Sequence, residues 1–238
     1  MSQRLRPVVA IDGPAGAGKS TVTRVVAERL NYLLVDTGAI YRAVALAAER
    51  AGLSWDDSDA VAAFAQELAA REGIRLERAE NGAQRVLLDG GDVSGAIRTL
   101  AIGQGASKVS AIPGVRQALL ELQRRAGRDG GVVLEGRDIG TVVFPDAEAK
   151  FFLTASVLVR AKRRHQELAE KGQAPPLEEV MNEVIERDRR DSSRPVAPLK
   201  QAADAVVVDS SELGIEEVAD SIVQHVKSVE QRLSGTSV

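Results

Sequence analysis

A glycine-rich segment between an apolar run and a helical pattern constrains the fold of this chain more than any other feature. The segment reads GPAGAGKS, from Gly13 to Ser20, and satisfies the pattern G-x-x-x-x-G-K-[ST]. Residues 7–11 before it are typical of a short buried strand, and apolar spacing predicts a helix over residues 19–30. Glycines let backbone N–H groups approach phosphate oxygens, and the helix directs its positive N-terminal end at the same anion. The sequence therefore predicts a phosphate-binding loop.

The loop also predicts how a nucleoside triphosphate is held. Lys19 is expected to reach the β- and γ-phosphates of ATP, and the Ser20 hydroxyl is expected to ligate Mg²⁺. The predicted ATP-binding residues of the loop are Gly13, Pro14, Ala15, Gly16, Ala17, Gly18, Lys19, Ser20 and Thr21. A glycine-rich structural turn is the alternative explanation. GTPases, ATPase motors and small-molecule kinases share such a loop, but the chain has no N-K-x-D segment to read guanine and is short for a motor.

Apolar runs alternate with helical patterns along the rest of the chain. Further buried strands are predicted at residues 32–35, 132–134, 150–153 and 205–208, and the last helix at 215–233. This alternation predicts an α/β fold with a doubly wound, five-stranded parallel sheet. Aromatic residues make up only 3% of the chain, so the core must consist mainly of aliphatic side chains, which suits helices packed on such a sheet.

Two segments do not fit the alternation and are predicted to be excursions from the core. The first lies near residues 40–110. It contains short strands at 74–78 and 84–88 joined by Asn81-Gly82, a strong hairpin signal, then a turn at 89–92 and a helix at 97–111. A further helix is predicted after this insert, from Pro113 to about residue 125. The second consists of two arginine-rich helices, at about residues 157–171 and 177–190.

Composition excludes several kinds of function. The chain has no cysteine, which excludes disulfides, thiolate metal sites and cysteine nucleophiles, and its two histidines disfavour a Ser-His-Asp triad. A net charge of −3 argues against a nucleic-acid partner. No apolar stretch approaches the ~20 residues that cross a bilayer, and residues 1–7 contain no signal-like apolar run. We therefore expect a cytoplasmic protein with no membrane or nucleic-acid partner.

Arginine is concentrated near the predicted ends of strands and in the second charged helix. Arg42 lies shortly after the second strand, Arg137 follows the strand at 132–134, and four arginines lie in residues 187–194. Because the carboxyl ends of such strands meet at one crevice, Arg42 and Arg137 are expected beside the loop, where they can bind an anionic acceptor. Solvated surface charges, or i,i+4 pairs such as Arg187 with Asp191, are the alternatives.

Five segments together resemble those of bacterial cytidylate (CMP/dCMP) kinases. They are IDGPAGAGKS (11–20), LVDTGAIYR (34–42), DVSGAIR (92–98), EGRDIGTVVFP (135–145) and RDRRDSSRPVAPL (187–199), so the resemblance covers residues 8–208. It implies a nucleoside-monophosphate kinase with a P-loop core (1–39, 110–155 and 200–238), an NMP-binding insert (40–109) and a helical lid (156–199). It also implies transfer of the γ-phosphate of ATP to CMP or dCMP, with Mg²⁺, by a monomer.

The resemblance further implies roles for single residues. Lys19, Arg137 and Arg187 are the expected catalytic residues, and Arg160, Arg163 and Arg164 belong to the lid near ATP. Arg42 and Arg137 hold the CMP phosphate, Thr37, Ser107, Arg116 and Asp138 surround the base, Arg187 and Asp191 meet the sugar, and Arg194 lies near the base or phosphate.

Some of these implications have chemical alternatives. Asp138 can accept a hydrogen bond from the N4 amino group of cytosine and repel the uracil carbonyl, or it can simply pair with neighbouring arginines. Glu135 and Asp138 are both candidates for a carboxylate near Mg²⁺, and Ser20 is the only protein ligand predicted. At the level of function, the alternatives are a P-loop kinase for another acceptor, such as AMP, UMP or shikimate, and a nucleotide-dependent switch with no small acceptor.

Overall fold

A computed structural model of the chain describes residues 4–79, 84–170 and 172–235. Within these residues the strands are β1 (Val8–Asp12), β2 (Leu33–Asp36), β3 (Ile74–Arg78), β4 (Gln84–Leu88), β5 (Gly91–Asp92), β6 (Val132–Gly136), β7 (Ala149–Thr154) and β8 (Val206–Asp209). The α-helices are α1 (Lys19–Leu30), α2 (Thr37–Arg50), α3 (Ser58–Ala70), α4 (Leu100–Val109), α5 (Pro113–Gly127), α6 (Val157–Glu170), α7 (Leu177–Ser193) and α8 (Ile215–Gly235). A 3-10 turn spans Ala96–Arg98, and a π-helical turn spans Ile139–Val143.

The chain forms two compact units, which we describe separately. The first consists of Met1–Leu33 with Asp129–Val238, and the second is Leu34–Arg128. The helical pair α6 and α7, predicted as a lid, therefore belongs to the first unit, and α5, whose residues were assigned to the core, belongs to the second. The functional division into core, NMP-binding insert and lid concerns substrate binding and motion, and it stays a prediction.

The larger sheet has the strand order β2-β6-β1-β7-β8, and four of its strands, β6, β1, β7 and β8, belong to the first unit. β1 lies between β6 and β7, so that Val9 is paired with both Val133 and Ala149. All five residues of β1 are buried, as expected of a central parallel strand with apolar surroundings on both faces. This sheet confirms the predicted fold class.

Helix α8 closes the first unit with an apolar stripe. Its buried residues recur at helical spacing and are Val218, Ala219, Ile222, Val223, Val226 and Val229. The stripe packs on α1 and β7. Among the described residues, no helix is both long and apolar enough to cross a membrane.

The second unit combines a small antiparallel sheet with four packed helices. β3 and β4 pair from Ile74 with Leu88 to Arg78 with Gln84, which are the strand bounds predicted from the sequence, although the predicted Asn81-Gly82 turn lies outside the described residues. The core is mainly aliphatic: α2 packs against α4, and α3 packs against α5. Trp55 contributes its indole N–H to the Ala45 carbonyl at 2.9 Å.

Two predictions within the second unit were wrong in detail. The helix expected over residues 97–111 is divided into the 3-10 turn and α4, because Thr99 adopts an extended conformation and its hydroxyl caps α4 by accepting from the Ile102 N–H at 3.2 Å. The turn expected at residues 89–92 includes a short third strand, β5, which pairs with β4.

Candidate active site

The glycine-rich loop connects β1 to α1 in a conformation that depends on its glycines. Gly13, Gly16 and Gly18 have φ angles of 151°, 76° and 86°. A β-carbon on Gly13 would lie 1.9 Å from the Leu153 carbonyl oxygen, so the loop leaves β1 in direct contact with the backbone of β7. Gly18 precedes α1 without a side-chain cap, which leaves the first N–H groups of the helix facing the loop. The loop therefore has the geometry of an anion-binding turn.

Lys19 lies inside this loop rather than in solvent. Its side chain is only 7% exposed, and its ammonium group donates to the carbonyl oxygens of Gly13 at 2.8 Å and Pro14 at 2.7 Å. Burial and the nearby positive charge of Arg137 lower the pKa of Lys19 well below its ordinary value, and Arg187 contributes in the same direction. An anionic phosphate at this position would relieve that repulsion.

Ser20 and Thr23, on the first turns of α1, contact the end of β6. The Ser20 hydroxyl donates to Glu135 Oε1 at 2.8 Å, and the Thr23 hydroxyl lies 3.2 Å from Oε2 of the same carboxylate. Of the two carboxylates considered from the sequence, Glu135 is thus the one that contacts Ser20. No group of three or more His, Cys, Asp or Glu residues that could hold a metal ion occurs in the described ranges.

Arg137, directly after β6, forms an ion pair with α7. Its Nε atom donates to Asp191 Oδ2 at 3.0 Å, and the Asp191 side chain is 7% exposed. Burial would raise the pKa of Asp191, but the charges of Arg137, Arg187 and Arg194 outweigh burial and hold that pKa below its ordinary value. Asp191 therefore stays ionised near neutral pH, and it fixes Arg137 while Arg187 lies nearby.

A second buried pair lies beside the first. Arg194 Nη2 is 3.4 Å from Asp138 Oδ1, and the Arg194 Nε atom donates to the Ala197 carbonyl at 2.6 Å. Asp138 and Arg194 are 4% and 7% exposed. The ion pair that the sequence left open for Asp138 is therefore present. Because both charges are buried, removal of either partner would leave the other charge buried and uncompensated.

Asp12 links the phosphate-binding loop to the turn that carries Arg137 and Asp138. Its carboxylate accepts 2.8 Å hydrogen bonds from the backbone N–H groups of Ile139 and Gly140, which begin the π-helical turn. Burial raises the pKa of Asp12 to about 6, although these two N–H groups favour its ionised form. The two segments are thereby held together through one side chain.

The second unit presents Thr37 at the start of α2, directly after the cap residue Asp36. Thr37 is 3% exposed, and the Asp36 carboxylate accepts from the Ala39 N–H at 3.2 Å and pairs with Arg98 at 3.3 Å. The Gln84 side chain accepts from the Asp36 N–H at 2.7 Å and donates to its carbonyl at 3.3 Å. The conformation around Thr37 is thus fixed by both side-chain and backbone contacts.

Three other predicted substrate residues lie on helices of the same unit. Arg42 on α2 donates to the Ile97 carbonyl at 3.2 Å. Ser107 on α4 is 6% exposed. Arg116 on α5 donates to the Ser110 carbonyl at 3.2 Å and lies over the ring of Tyr41, 5.3 Å from its centroid. The predicted substrate residues are therefore distributed over both units, with Arg137, Asp138, Arg187, Asp191 and Arg194 in the first.

Comparison with known proteins shows which family the chain belongs to. Residues 9–228 match the family model for cytidylate kinase. The chain belongs to the cytidylate kinase family. A cytidylate kinase of Geobacter sp. (strain M21) is 54% identical over 221 residues, which cover 92% of each chain. One from Geobacter sulfurreducens is 51% identical over 228 residues, or 96% of each chain.

A solved structure supports the fold independently of close sequence similarity. An uncharacterized protein from Eubacterium ventriosum superimposes with a TM-score of 0.50 at 12% identity, covering 94% of this chain and 99% of the other. At that identity the likeness concerns the fold alone. Membership of the cytidylate kinase family, a kinase family, implies that the chain uses ATP.

In this member of the cytidylate kinase family, one of the three predicted lid arginines contacts the loop and a second lies close to it. Arg160, 4% exposed, donates to the Ala15 carbonyl at 3.1 Å and pairs with Asp188 at 2.7 Å. Arg163 Nη1 would lie 3.7 Å from a β-carbon built on Gly18. Arg164 instead pairs with Glu167 on its own helix at the surface, 3.0 Å away.

Sequence reasoning missed three residues that organise this cytidylate kinase fold. They are Asp12, Gln84 and Ser210, each of which uses its side chain to hold backbone groups distant in sequence. Asp12 stands next to the glycine-rich pattern but is not part of it, and Ser210 merely follows an apolar strand. No local signal distinguishes such residues from ordinary polar ones.

Proposed function

We propose that this chain transfers the γ-phosphate of ATP to CMP or dCMP and so produces ADP and CDP or dCDP. The observation that carries the proposal is that Arg137, held by Asp191 at 3.0 Å, and Arg187 lie near the buried ammonium group of Lys19, and the lowered pKa of Lys19 agrees with this proximity. Cations from a strand end and from α7 thus converge on the lysine of the P-loop. This is the charge distribution that an anionic donor and an anionic acceptor require when they meet.

The chemistry needs positioning rather than a general base. An oxygen of the CMP phosphate, already anionic, attacks the γ-phosphorus, and the bond from that phosphorus to the β–γ bridging oxygen breaks to leave ADP. Lys19 and the two arginines stabilise the charge on the transferring group. The carboxylates nearby are engaged otherwise: Asp191 holds Arg137, and Asp12 holds the backbone after Asp138.

The residues around Ser20 fit Mg²⁺. They offer a hydroxyl backed by the Glu135 carboxylate, and Mg²⁺ prefers oxygen ligands supplied by a few protein groups, waters and substrate phosphates. When bound, Mg²⁺ neutralises charge on the β- and γ-phosphates. In this proposal Ser20 is its protein ligand, and Glu135 orients the Ser20 hydroxyl.

Selection of cytosine is assigned to Asp138. Its carboxylate accepts from the N4 amino group of cytosine, and the same carboxylate repels the O4 carbonyl of uracil. The pair with Arg194 supports this role because it holds the buried Asp138 carboxylate in place beside a cation. We further propose, from the family resemblance, that residues 40–109 bind the monophosphate, that residues 156–199 close as a lid, and that the enzyme is a cytoplasmic monomer with no nucleic-acid or membrane partner.

The proposal is tested by measuring ADP formation with each common nucleoside monophosphate in a coupled assay. CMP and dCMP should be the preferred acceptors, and turnover should depend on their presence. The variant Asp138→Ala should lose much of the preference for CMP over UMP in kcat/KM, while its melting temperature reports any general loss of structure.

Two outcomes would overturn the proposal. Equal rates with AMP and CMP would indicate a P-loop kinase for another acceptor. ATP turnover that ignores every monophosphate would indicate a nucleotide-dependent switch. An unchanged CMP/UMP ratio in Asp138→Ala would remove Asp138 from base selection but leave the reaction itself in place.

A further inference from the structure

Ser210 occupies a buried position where three segments of the first unit meet. It follows the last residue of β8, and it is only 3% exposed. Its backbone N–H donates to the Thr154 carbonyl at 2.8 Å, at the end of β7. Its hydroxyl lies 3.0 Å from the same carbonyl and 3.2 Å from the carbonyl of Ala17 in the P-loop.

The third segment is α6, which reaches Ser210 through Arg163. Arg163 Nη1 donates to the Ser210 hydroxyl oxygen at 3.0 Å, and Nη2 donates to the Ser210 carbonyl oxygen at 2.7 Å. The planar guanidinium is therefore held by two parallel hydrogen bonds to a single residue, which fixes its orientation as well as its position.

Ser210 can bond to all three segments because its hydroxyl and its backbone N–H act together. The hydroxyl has one proton, which it donates to the Ala17 or the Thr154 carbonyl, and a lone pair accepts from Arg163. The Thr154 carbonyl accepts from the Ser210 N–H in either case. One small residue therefore joins the P-loop backbone, the end of β7 and the α6 arginine. This arrangement is specific for a hydroxyl, since a methyl group can neither accept from a cation nor donate to a carbonyl.

The position of Arg163 gives this contact a consequence for the reaction. Gly18, beside which Nη1 lies, is the residue at the N-terminal end of α1, where the phosphates of a P-loop ligand bind. We propose that Ser210 is a positioning residue: it holds the Arg163 guanidinium at the phosphate-binding end of α1, where that cation can bind ATP. The inference rests on the proposed function for its interpretation, but it can be tested by nucleotide binding alone.

The test measures equilibrium binding of the non-hydrolysable analogue AMP-PNP with Mg²⁺, in the absence of CMP, by calorimetry. Ser210→Ala should weaken binding about ten- to hundredfold, because the cation loses one of its two acceptors and its fixed orientation. Ser210→Thr keeps the hydroxyl and should restore binding. Ser234→Ala, which removes an exposed hydroxyl bonded to the Glu230 carbonyl, is the matched control and should bind as the unmodified chain does.

A double-mutant cycle separates positioning from a merely structural role. If Ser210 acts through Arg163, the double variant Ser210→Ala with Arg163→Ala should bind AMP-PNP no more weakly than Arg163→Ala alone. In steady state, Ser210→Ala should raise the KM for ATP and leave the KM for CMP unchanged. Additive losses, or unchanged AMP-PNP binding in Ser210→Ala, would overturn the proposal.

Two further outcomes remain interpretable. If Ser210→Ala does not fold, Ser210→Cys carries the same comparison, since a thiol of similar size is a poor acceptor, and full binding by it would overturn the proposal. If the chain binds AMP-PNP as expected but shows no activity with CMP, the proposed function fails while the role of Ser210 stands.

Discussion

Asp12 shows how strongly a single carboxylate in this chain is shaped by its surroundings. Burial raises its pKa from 3.8 to about 6, the neighbouring charge of Asp138 adds to this rise, and the N–H groups of Gly140 and Ile139 and the charge of Lys19 oppose it. Because the folded pKa is above the unfolded one, the native state binds more protons between these two values. The resulting stabilisation is fully present below pH 3.8 and is lost as the pH rises through 6.

Replacing Asp12 by asparagine should remove this pH dependence. We expect the difference in free energy of unfolding between the unmodified chain and Asp12→Asn to fall by roughly 1 kcal/mol from pH 5 to pH 7. Urea unfolding at both pH values measures it, with Asp129→Asn at the exposed surface as control. A difference that is the same at both pH values would show that Asp12 does not titrate in this range.

Residues that belong to a motif could be placed from the sequence, whereas those that support the motif could not. Lys19 and Ser20 occupy fixed positions of the P-loop pattern, so their location between a strand and a helix could be predicted. Asp12 reaches residues 127 and 128 positions away, and Ser210 reaches Ala17 across 193 positions. Contacts of this kind depend on which strand ends the fold brings together, and no periodicity encodes them.

At the level of elements, the junction of β1 and the P-loop depends on Gly13. Gly13→Ala places a β-carbon 1.9 Å from the backbone oxygen of Leu153, in β7, which is itself paired on both sides. Because neither strand can shift freely, we expect a loss of about 4 kcal/mol or more in the free energy of unfolding, together with loss of AMP-PNP binding.

Gly52→Ala provides the matched control for this substitution. Gly52 also has a positive φ, 75°, but a β-carbon there meets nothing within 4 Å. Only backbone strain should then be felt, about 1 kcal/mol, with nucleotide binding intact. Chemical denaturation measures both variants, and equal losses would mean that the close approach to Leu153 is not what excludes a side chain at position 13.

Elements that are determined by local sequence could be predicted, whereas elements that depend on distant contacts could not. β3 and β4 were foreseen residue by residue, because alternation and turn residues are local. The helix over residues 97–111 was not, because the Thr99 cap competed with continued helical spacing. The π-helical turn after Asp138 escaped prediction for a different reason: two of its N–H groups bond to Asp12, a partner supplied only by the folded sheet.

At the scale of the whole molecule, the alternation of strands and helices was sufficient to predict a doubly wound sheet, which the strand order confirms. The grouping into two units was less accessible. The family resemblance assigned the residues of α5 to the core, yet α5 packs against α3 within the second unit. Which of two apolar surfaces a helix covers is decided by shape and area in the folded state, and composition does not reveal it.

The two units are expected to respond differently to the two substrates. The residues predicted to contact ATP lie in the first unit, whereas those predicted to contact CMP are contributed by both, with Arg42 in the second and Arg137 in the first. Hydrogen exchange reports local stability along the chain, because a bound ligand suppresses the openings that expose amides. AMP-PNP alone should therefore protect the P-loop and α6, and CMP should add protection to α2 and α4 as well as to residues 136–143.

The variant Arg42→Ala tests this expectation directly. It removes a predicted CMP ligand from the second unit and leaves the P-loop unchanged, so AMP-PNP should still protect the first unit while the CMP-dependent protection is lost in both. UMP serves as the ligand control and should protect less than CMP at equal concentration. Exchange measured by mass spectrometry on peptides from each unit gives the answer. If CMP protected the first unit alone, in the unmodified chain as in Arg42→Ala, the predicted roles of Thr37, Arg42, Ser107 and Arg116 would have to be abandoned.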